Sequence, residues 1–269
     1  MTPPDPHSSP LRPLVVAVGG LDPGSGAGLA RDLLTAGACG ADALLVGTAF
    51  TDQSPQGVQA TEPRPPASVR RALLAALAAV GTRRDAAAGV AVKVGMTATP
   101  EVAEALREAL EGFAGPVVLD PVLAASSGGA LFAGPAAALL PLARRATLVT
   151  PNLAEAAALV GGRLAASVDD MRETARRLRA AGLQAVLVKG GHLEGQAVDV
   201  LAAEGSERVF VAERIEGRSP RGTGCALATA IAVELARGRE LGEAVAVAKE
   251  WLRERIERAR WVGGERHLG

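Results

Sequence analysis

The sequence predicts an α/β fold, a mostly parallel central sheet with helices on both faces. Three observations predict it. Short valine-rich runs at 14–18, 43–50, 89–94, 116–119, 147–149 and 185–188 are largely apolar rather than alternating, as strands buried on both faces are. Alanine- and leucine-rich segments of helical length separate most of these runs, giving the strand–helix alternation of parallel sheets. Glycine-rich or polar turns follow nearly every run, at the strand ends where open sheets collect ligands.

Composition bounds the rest. A chain of 269 residues with 48% hydrophobic content can build one large core. The expected organisation is a loose proline-bearing tail over 1–13 and a single domain over 14–269. Basic and acidic residues balance at 29 each, which excludes a nucleic-acid surface or a polybasic membrane contact. No apolar run approaches the ~18 residues of a membrane span, and the first residues lack the apolar stretch of a signal peptide. Cys39 and Cys225 form no metal-type spacing, and a reduced cytoplasmic setting is expected.

Taken in order, the strand at 14–18 runs into Gly19-Gly20-Leu21-Asp22-Pro23-Gly24-Ser25-Gly26-Ala27-Gly28 and a helix over 29–36. The loop matches neither a Walker A sequence nor a dinucleotide fingerprint. It suits close backbone approach to a small organic substrate, with Asp22 and Asp32 as acceptors; a plain flexible connection is the alternative. The strand at 43–50 precedes a polar turn at 51–58 that either covers a pocket or lies on the surface. A helix over 69–80 leads to the strand at 89–94, which ends in Lys93-Val94-Gly95-Met96, and then to a helix over 101–110. The strand at 116–119 delivers Asp120 at its carboxyl end. The small-residue loop at 121–134 is expected to be mobile.

After the strand at 147–149, Thr150-Pro151-Asn152 opens a helix that places Asn152 and Glu155 near one face of its first turn. Glu155 is either a site carboxylate or the acid of a capping box. A helix over 168–181 and the strand at 185–188 lead to Lys189-Gly190-Gly191-His192, where His192 reads as a structural hydrogen-bonder. Runs at 198–202 and 208–212 form a hairpin, and a helix over 241–259 comes last.

The chemistry centres on Ser219-Pro220-Arg221-Gly222-Thr223-Gly224-Cys225, followed by an apolar helical run at 226–236. Glycines around a threonine at a helix start leave backbone N–H groups and the positive end of the dipole open to an anion. Cys225 falls in the first turn, where a lowered thiol pKa is expected. An ordinary glycine-rich cap with a small buried cysteine is the alternative. Nearly all basic residues are arginine, with lysine only at Lys93, Lys189 and Lys249, which suggests positions needing a compact charge. Anion turn, lysines, Asp120, Glu155 and Cys225 together make a phosphoryl-transfer inventory. Mg²⁺ takes few protein carboxylates, so Asp120 and Glu155 suffice for it, partly through water. Gly222, Thr223 and Gly224 would hold transition-state charge, and Cys225 would take the proton of the attacking hydroxyl.

The chain resembles the ribokinase-like kinases, and among them the hydroxymethylpyrimidine/phosphomethylpyrimidine kinases of thiamine synthesis. The matching stretches are Gly20-Leu21-Asp22-Pro23 with Gly26-Ala27-Gly28 and Asp32, Gln53 with Gly57-Val58-Gln59, and Lys93-Val94-Gly95-Met96. They continue through Leu119-Asp120-Pro121-Val122, Thr150-Pro151-Asn152 with Glu155, Val188-Lys189-Gly190-Gly191-His192 and Gly222-Thr223-Gly224-Cys225. The resemblance implies a ribokinase-like three-layer sandwich that uses ATP and Mg²⁺ to phosphorylate 4-amino-5-hydroxymethyl-2-methylpyrimidine and then its monophosphate. It implies that Gln53 hydrogen-bonds the ring, with Gly20, Ala27, Met96 and Val122 around it. Asp32 would hold the hydroxymethyl end or its loop, Lys189, Asn152 and Thr223 the nucleotide, and Asp120 and Glu155 the metal. It also implies a cytoplasmic homodimer. A pyridoxine or pyridoxal kinase on the same scaffold, or a non-catalytic binding module, are the alternatives. The chain departs from the family pattern at Leu21, Ala30, Leu34, Thr51-Asp52, Pro220 and Arg221, the last replacing a usual histidine, and in its C-terminal residues.

Overall fold

A computed structural model describes residues 12–54, 57–81, 89–125, 128–191, 193, 195–215, 220–262 and 264–269. Most of the 1–13 tail, residues 55–56 of the polar turn, Ser126, His192 and Ser219 lie outside the described residues.

The central strands are buried almost throughout, and successive side chains along them fall into two cores, one on each face of the sheet. The strands are β1 (Leu14–Leu21), β2 (Asp42–Ser54), β3 (Gly57–Pro63), β4 (Val90–Val94), β5 (Val117–Leu119), β6 (Leu148–Val149), β7 (Ala185–Lys189), β8 (Ala197–Ala203) and β9 (Ser206–Ala212). They hydrogen-bond in the order β3-β2-β1-β4-β5-β6-β7-β8-β9. From β2 to β7 the pairs are parallel; β3, β8 and β9 add antiparallel edges. Val16, Val18, Val92, Val94, Val117 and Leu119 face one core, which is closed by α2 (Pro66–Gly81), α3 (Pro100–Ala109), α4 (Leu140–Arg145), α5 (Leu153–Val160) and α6 (Val168–Ala180). Val15, Ala91, Val118, Leu148 and Leu187 face the other, beneath α1 (Gly28–Ala38), α7 (Thr223–Ala236) and α8 (Leu241–Glu257). Period two in the strands is what divides the layers.

Local chemistry sets the helix ends. Thr99 accepts from the Val102 N–H ahead of Pro100, and Ser167 accepts from the Asp170 N–H. α5 begins with a capping box between Asn152 and Glu155 and ends at Gly161 in the left-handed region. α7 is apolar on nearly all sides because it is covered on nearly all sides, by β1, β4 and β5 below and by α1 and α8 beside it. No described helix is long and apolar enough to cross a membrane.

Several expectations change. The polar turn at 51–58 belongs to a hairpin: β2 runs on to Ser54 and β3 returns antiparallel to it. The loop expected to be mobile is tied at its described residues, where Ala124 bridges Ala130, Leu131 N–H donates to Leu123 and Ala133 N–H donates to Ala98. A 3₁₀ turn (Ala136–Leu139) and α4 fill the stretch before β6. A small hairpin, β10 (Arg260–Val262) with β11 (Glu265–His267), follows α8.

The chain winds from β1 outward to β2 and β3, then crosses to β4 and onward to β9. This reversal puts the topological switch at the carboxyl ends of β1 and β4, where open sheets leave a crevice.

Candidate active site

A cleft at the carboxyl edge of the sheet gathers the site residues named from the resemblance and from the anion turn. Asp22, the other expected acceptor, does not line it and accepts the Gly24 and Ala27 N–H groups within its own loop. Gly20, Ala27, Gln53, Met96 and Val122 line one part of the cleft, and Asp120, Asn152, Glu155, Lys189 and the 222–225 turn line another, with the fully buried Asp32 bordering it from behind. Ala49, Met96, Ala98 and Leu131 form a third small apolar cluster, with Val58, Val122 and Ala125 packed on it. Gly20 lets Met96 pack close there, for a Cβ would stand 2.7 Å from Met96 Sδ and oblige that side chain to move.

The charged end is built from strand ends. Asp120 leaves β5 and Lys189 closes β7, and Lys189 Nζ donates to Asp120 Oδ1 at 2.8 Å. Thr150 Oγ1, just past β6, donates to the same oxygen at 3.2 Å. Burial acts to raise the Asp120 carboxyl, but Lys189 and Lys93 outweigh it and hold it below its ordinary value. Burial acts to lower the Lys189 ammonium, and Asp120 with Glu155 outweighs that and raises it. Glu155 is pushed up to about 7 by burial, with Lys189 opposing. The capping-box reading of Glu155 holds, its Oε2 accepting the Asn152 N–H at 2.8 Å, and the same carboxyl lies within electrostatic reach of Lys189 and Asp120.

The start of α7 comes down on this pair. Gly222 holds φ 75°, and a Cβ there would fall 2.1 Å from Gly26 O; one on Gly224 would lie 3.2 Å from Lys189 Nζ and 3.6 Å from Asp120 Oδ2. The first turn has no side-chain cap, and its first intrahelical N–H bond is from Ala226 to Gly222 O. The amides of residues 223–225 thus have no acceptor within the helix.

Cys225 corrects the sequence expectation. Its side chain is partly open to the cleft, yet protein surrounds it closely enough that burial pushes the thiol up to about 11, with Lys93 opposing. The helix start and the Gly28 N–H favour a thiolate, but burial is the larger effect. The thiol is protonated at neutral pH.

Asp32 sits behind the cleft wall. Lys93 Nζ reaches both of its oxygens at 2.8 Å and Thr229 Oγ1 donates to Oδ1 at 2.8 Å, all three side chains being buried. Its carboxylate is engaged within the protein rather than presented to a ligand. The three lysines explain their own scarcity, since each pairs with an aspartate: Lys93 with Asp32, Lys189 with Asp120, and Lys249 with Asp199. At the two buried pairs, Lys93–Asp32 and Lys189–Asp120, the charge on the strand is a compact ammonium. Pairings with Thr150, Thr229 and Arg221 were not foreseen; the only trace in the sequence is that lysine survives where arginine is otherwise universal.

Oxygen donors from Asp120 and Glu155 suit a hard cation. Among the described residues no three His, Cys, Asp or Glu side chains gather as a metal cage. Two carboxylates fit magnesium, which takes few protein ligands and keeps much of its hydration.

The family model of phosphomethylpyrimidine kinase matches residues 22–268. The chain belongs to the phosphomethylpyrimidine kinase family. It is 39% identical to the hydroxymethylpyrimidine/phosphomethylpyrimidine kinase of Streptomyces coelicolor, over 98% of this chain and 95% of that protein. It is 38% identical to a thiamine biosynthesis bifunctional protein of Geobacter sulfurreducens, over 93% of this chain and 50% of that protein. Among solved structures, an ADP complex of Bacillus subtilis pyridoxal kinase superposes with a TM-score of 0.79 at 31% identity, covering 94% of each chain. The fold is the expected ribokinase-like one, and the family makes the chain a phosphotransferase.

Proposed function

We propose that this protein transfers the terminal phosphoryl group of ATP to hydroxymethylpyrimidine and then to its monophosphate, supplying the diphosphate for thiamine synthesis. One observation carries the reading: the uncapped start of α7 lies against the Lys189–Asp120 pair in a cleft that is also lined by Gln53 and a small apolar cluster. An anion receptor and an apolar lining that bears an amide, in one cleft, are what a hydroxymethyl kinase needs.

In this reading the ring rests among Gly20, Ala27, Met96 and Val122 and hydrogen-bonds Gln53, which aims its hydroxyl at the anion turn. Amides of residues 222–225 hold the charge that develops on the moving phosphoryl group. Lys189 trades part of its contact with Asp120 for a nucleotide phosphate. Asn152 spends its side-chain oxygen on the cap of α5 and offers its NH₂ to the nucleotide, as Thr223 offers its hydroxyl. Asp120 and Glu155 would hold magnesium, partly through water, and the ion supplies neutralisation of phosphate oxygens. Asp32 acts on the Gly-rich loop through α1 rather than on the hydroxymethyl group.

Cys225 accepts the hydroxyl proton only as thiolate, about 10⁻⁴ of the molecules at neutral pH for a thiol with its pKa at about 11. The anion turn and Lys189 carry the larger share. The same reading takes the protein as a cytoplasmic homodimer; α1 and β2 lie side by side and leave Leu33, Leu34, Leu45 and Phe50 exposed for a second copy. Sedimentation tests that part.

Incubation with hydroxymethylpyrimidine, ATP and Mg²⁺ is expected to yield mono- and diphosphate, and formation of neither overturns the reading. Similarity to a pyridoxal kinase favours one alternative, decided by comparing kcat/KM for hydroxymethylpyrimidine and pyridoxine.

A further inference from the structure

Two of the positions at which this chain departs from the family pattern meet on one side chain. Arg221 stands 168 residues from Gln53, yet its Nη2 donates to Gln53 Oε1 at 2.7 Å. The same nitrogen lies 3.2 Å from Asp22 Oδ2, so the guanidinium is held from the Gly-rich loop as well. A guanidinium carries donors only, so the end of the Gln53 amide that faces it is the oxygen. At the opposite end, Gln53 Nε2 lies 3.0 Å from Thr51 Oγ1. Thr51 gives its one hydroxyl hydrogen to the Leu21 carbonyl at 3.0 Å, so towards Gln53 it accepts. The orientation of the amide is therefore determined twice, once from each end. The apolar residue that the family pattern places before Gln53 supplies no acceptor, and a histidine at 221 can face the amide as donor or acceptor.

We propose that Arg221 and Thr51 are positioning residues that lock the Gln53 amide, and that the locked amide selects a ring bearing an amine beside a ring nitrogen. With Arg221 on one lone pair and Thr51 on one hydrogen, Gln53 has one acceptor site on Oε1 and one donor on Nε2 left for a ligand. An amine gives its hydrogen to the first and the adjacent ring nitrogen accepts from the second, the same complementarity by which amide side chains read adenine. A ring lacking the amine leaves the locked oxygen without its donor, whereas a mobile amide could turn to suit it. Discrimination by a missing hydrogen bond is strong when the protein group has nowhere else to go. The inference rests on the pyrimidine-kinase reading and goes beyond it by naming what enforces the choice of ring.

The test compares kcat/KM for hydroxymethylpyrimidine and for its analogue lacking the ring amine. The proteins are the unsubstituted chain, Arg221→Met, Thr51→Val and the double variant. The unsubstituted chain is expected to prefer the amine-bearing ring, and each single variant to lose about tenfold of that preference, mostly through KM. The double variant should lose little more than the larger single loss, because both act on one amide. Arg221→Lys restores a donor and should recover part of the preference, which a general loss of structure would not allow. Thr51→Val conserves shape and keeps the test open if Arg221→Met does not fold. An unchanged preference in folded variants overturns the inference and leaves the kinase reading standing. An unsubstituted chain that phosphorylates neither pyrimidine overturns both.

Discussion

Cys225 shows how far a residue's position in a helix can mislead about its acidity. A first-turn thiol is ordinarily a lowered one, and that signal is plain in Gly222-Thr223-Gly224-Cys225. Burial reverses it, to about 11. Alkylation of Cys225 by iodoacetamide, followed in a Cys39→Ser background, should keep accelerating with pH up to about 11; a plateau in the ordinary thiol range would contradict this. The sign for stability follows. Between the ordinary thiol range and about pH 11 the folded chain keeps a proton that the unfolded chain releases, so Cys225 makes stability fall as pH rises through that window. Cys225→Ser should cost most of the turnover, roughly 10²-fold if the thiolate acts as base, while pyrimidine binding measured by calorimetry persists. Undiminished turnover would leave the anion turn and Lys189 as the whole of the chemistry.

At the element scale the decisive feature is the start of α7. Its glycines and threonine were legible as a helix start, an anion turn or an ordinary glycine-rich cap, because they stand ahead of a long apolar run. What it faces was not legible, since Lys189 and Asp120 arrive from β7 and β5. Gly222→Ala places a Cβ 2.1 Å from Gly26 O at φ 75°, and should both destabilise the fold, by roughly 1–3 kcal/mol, and turn the amides away from the phosphate. Turnover should fall at least about 100-fold, as when an oxyanion donor is lost. Gly238, just past the other end of α7, has φ 81° with nothing within 4 Å of a built Cβ. Gly238→Ala should therefore lower Tm without the loss of turnover. Equal turnover losses in the two variants would refute the role given to the α7 start. The β2–β3 hairpin was half legible: Thr51 to Gln53 look like a polar turn because strands at a sheet edge need no unbroken apolar run.

On the scale of the whole molecule, the Lys93–Asp32–Thr229 contact joins β4, α1 and α7 behind the cleft, where the two helices that start at the active site cross the sheet. Burial pushes the Asp32 carboxyl up and draws the Lys93 ammonium down, yet with both carboxylate oxygens at 2.8 Å from Nζ the pair is ionised and the ammonium is held above its ordinary value. Lys93→Met leaves a buried charge without its partner and should cost about 3–5 kcal/mol in urea denaturation. Adding Asp32→Leu should recover most of it, because a buried ion pair is replaceable by apolar packing. A single variant as stable as the unsubstituted chain would show the pair to be idle.

What the sequence determined by itself is the alternation of the parallel strands with helices, the covering of the sheet on both faces, and the turns after β1, β4, β5, β6 and β7 where the candidate site residues stand. β3, α4 and the β10–β11 hairpin it did not give. The legible features follow from periodicity and glycine spacing, which act over a few residues. Tertiary structure alone decided which residue touches which: Arg221 with Gln53, Lys93 with Asp32, Lys189 with Asp120, across separations of 168, 61 and 69 residues. It decided the protonation of Cys225 as well. A hydrogen bond needs placement to a few tenths of an ångström and a pKa depends on everything that excludes water, and both are properties of surfaces that distant segments close together.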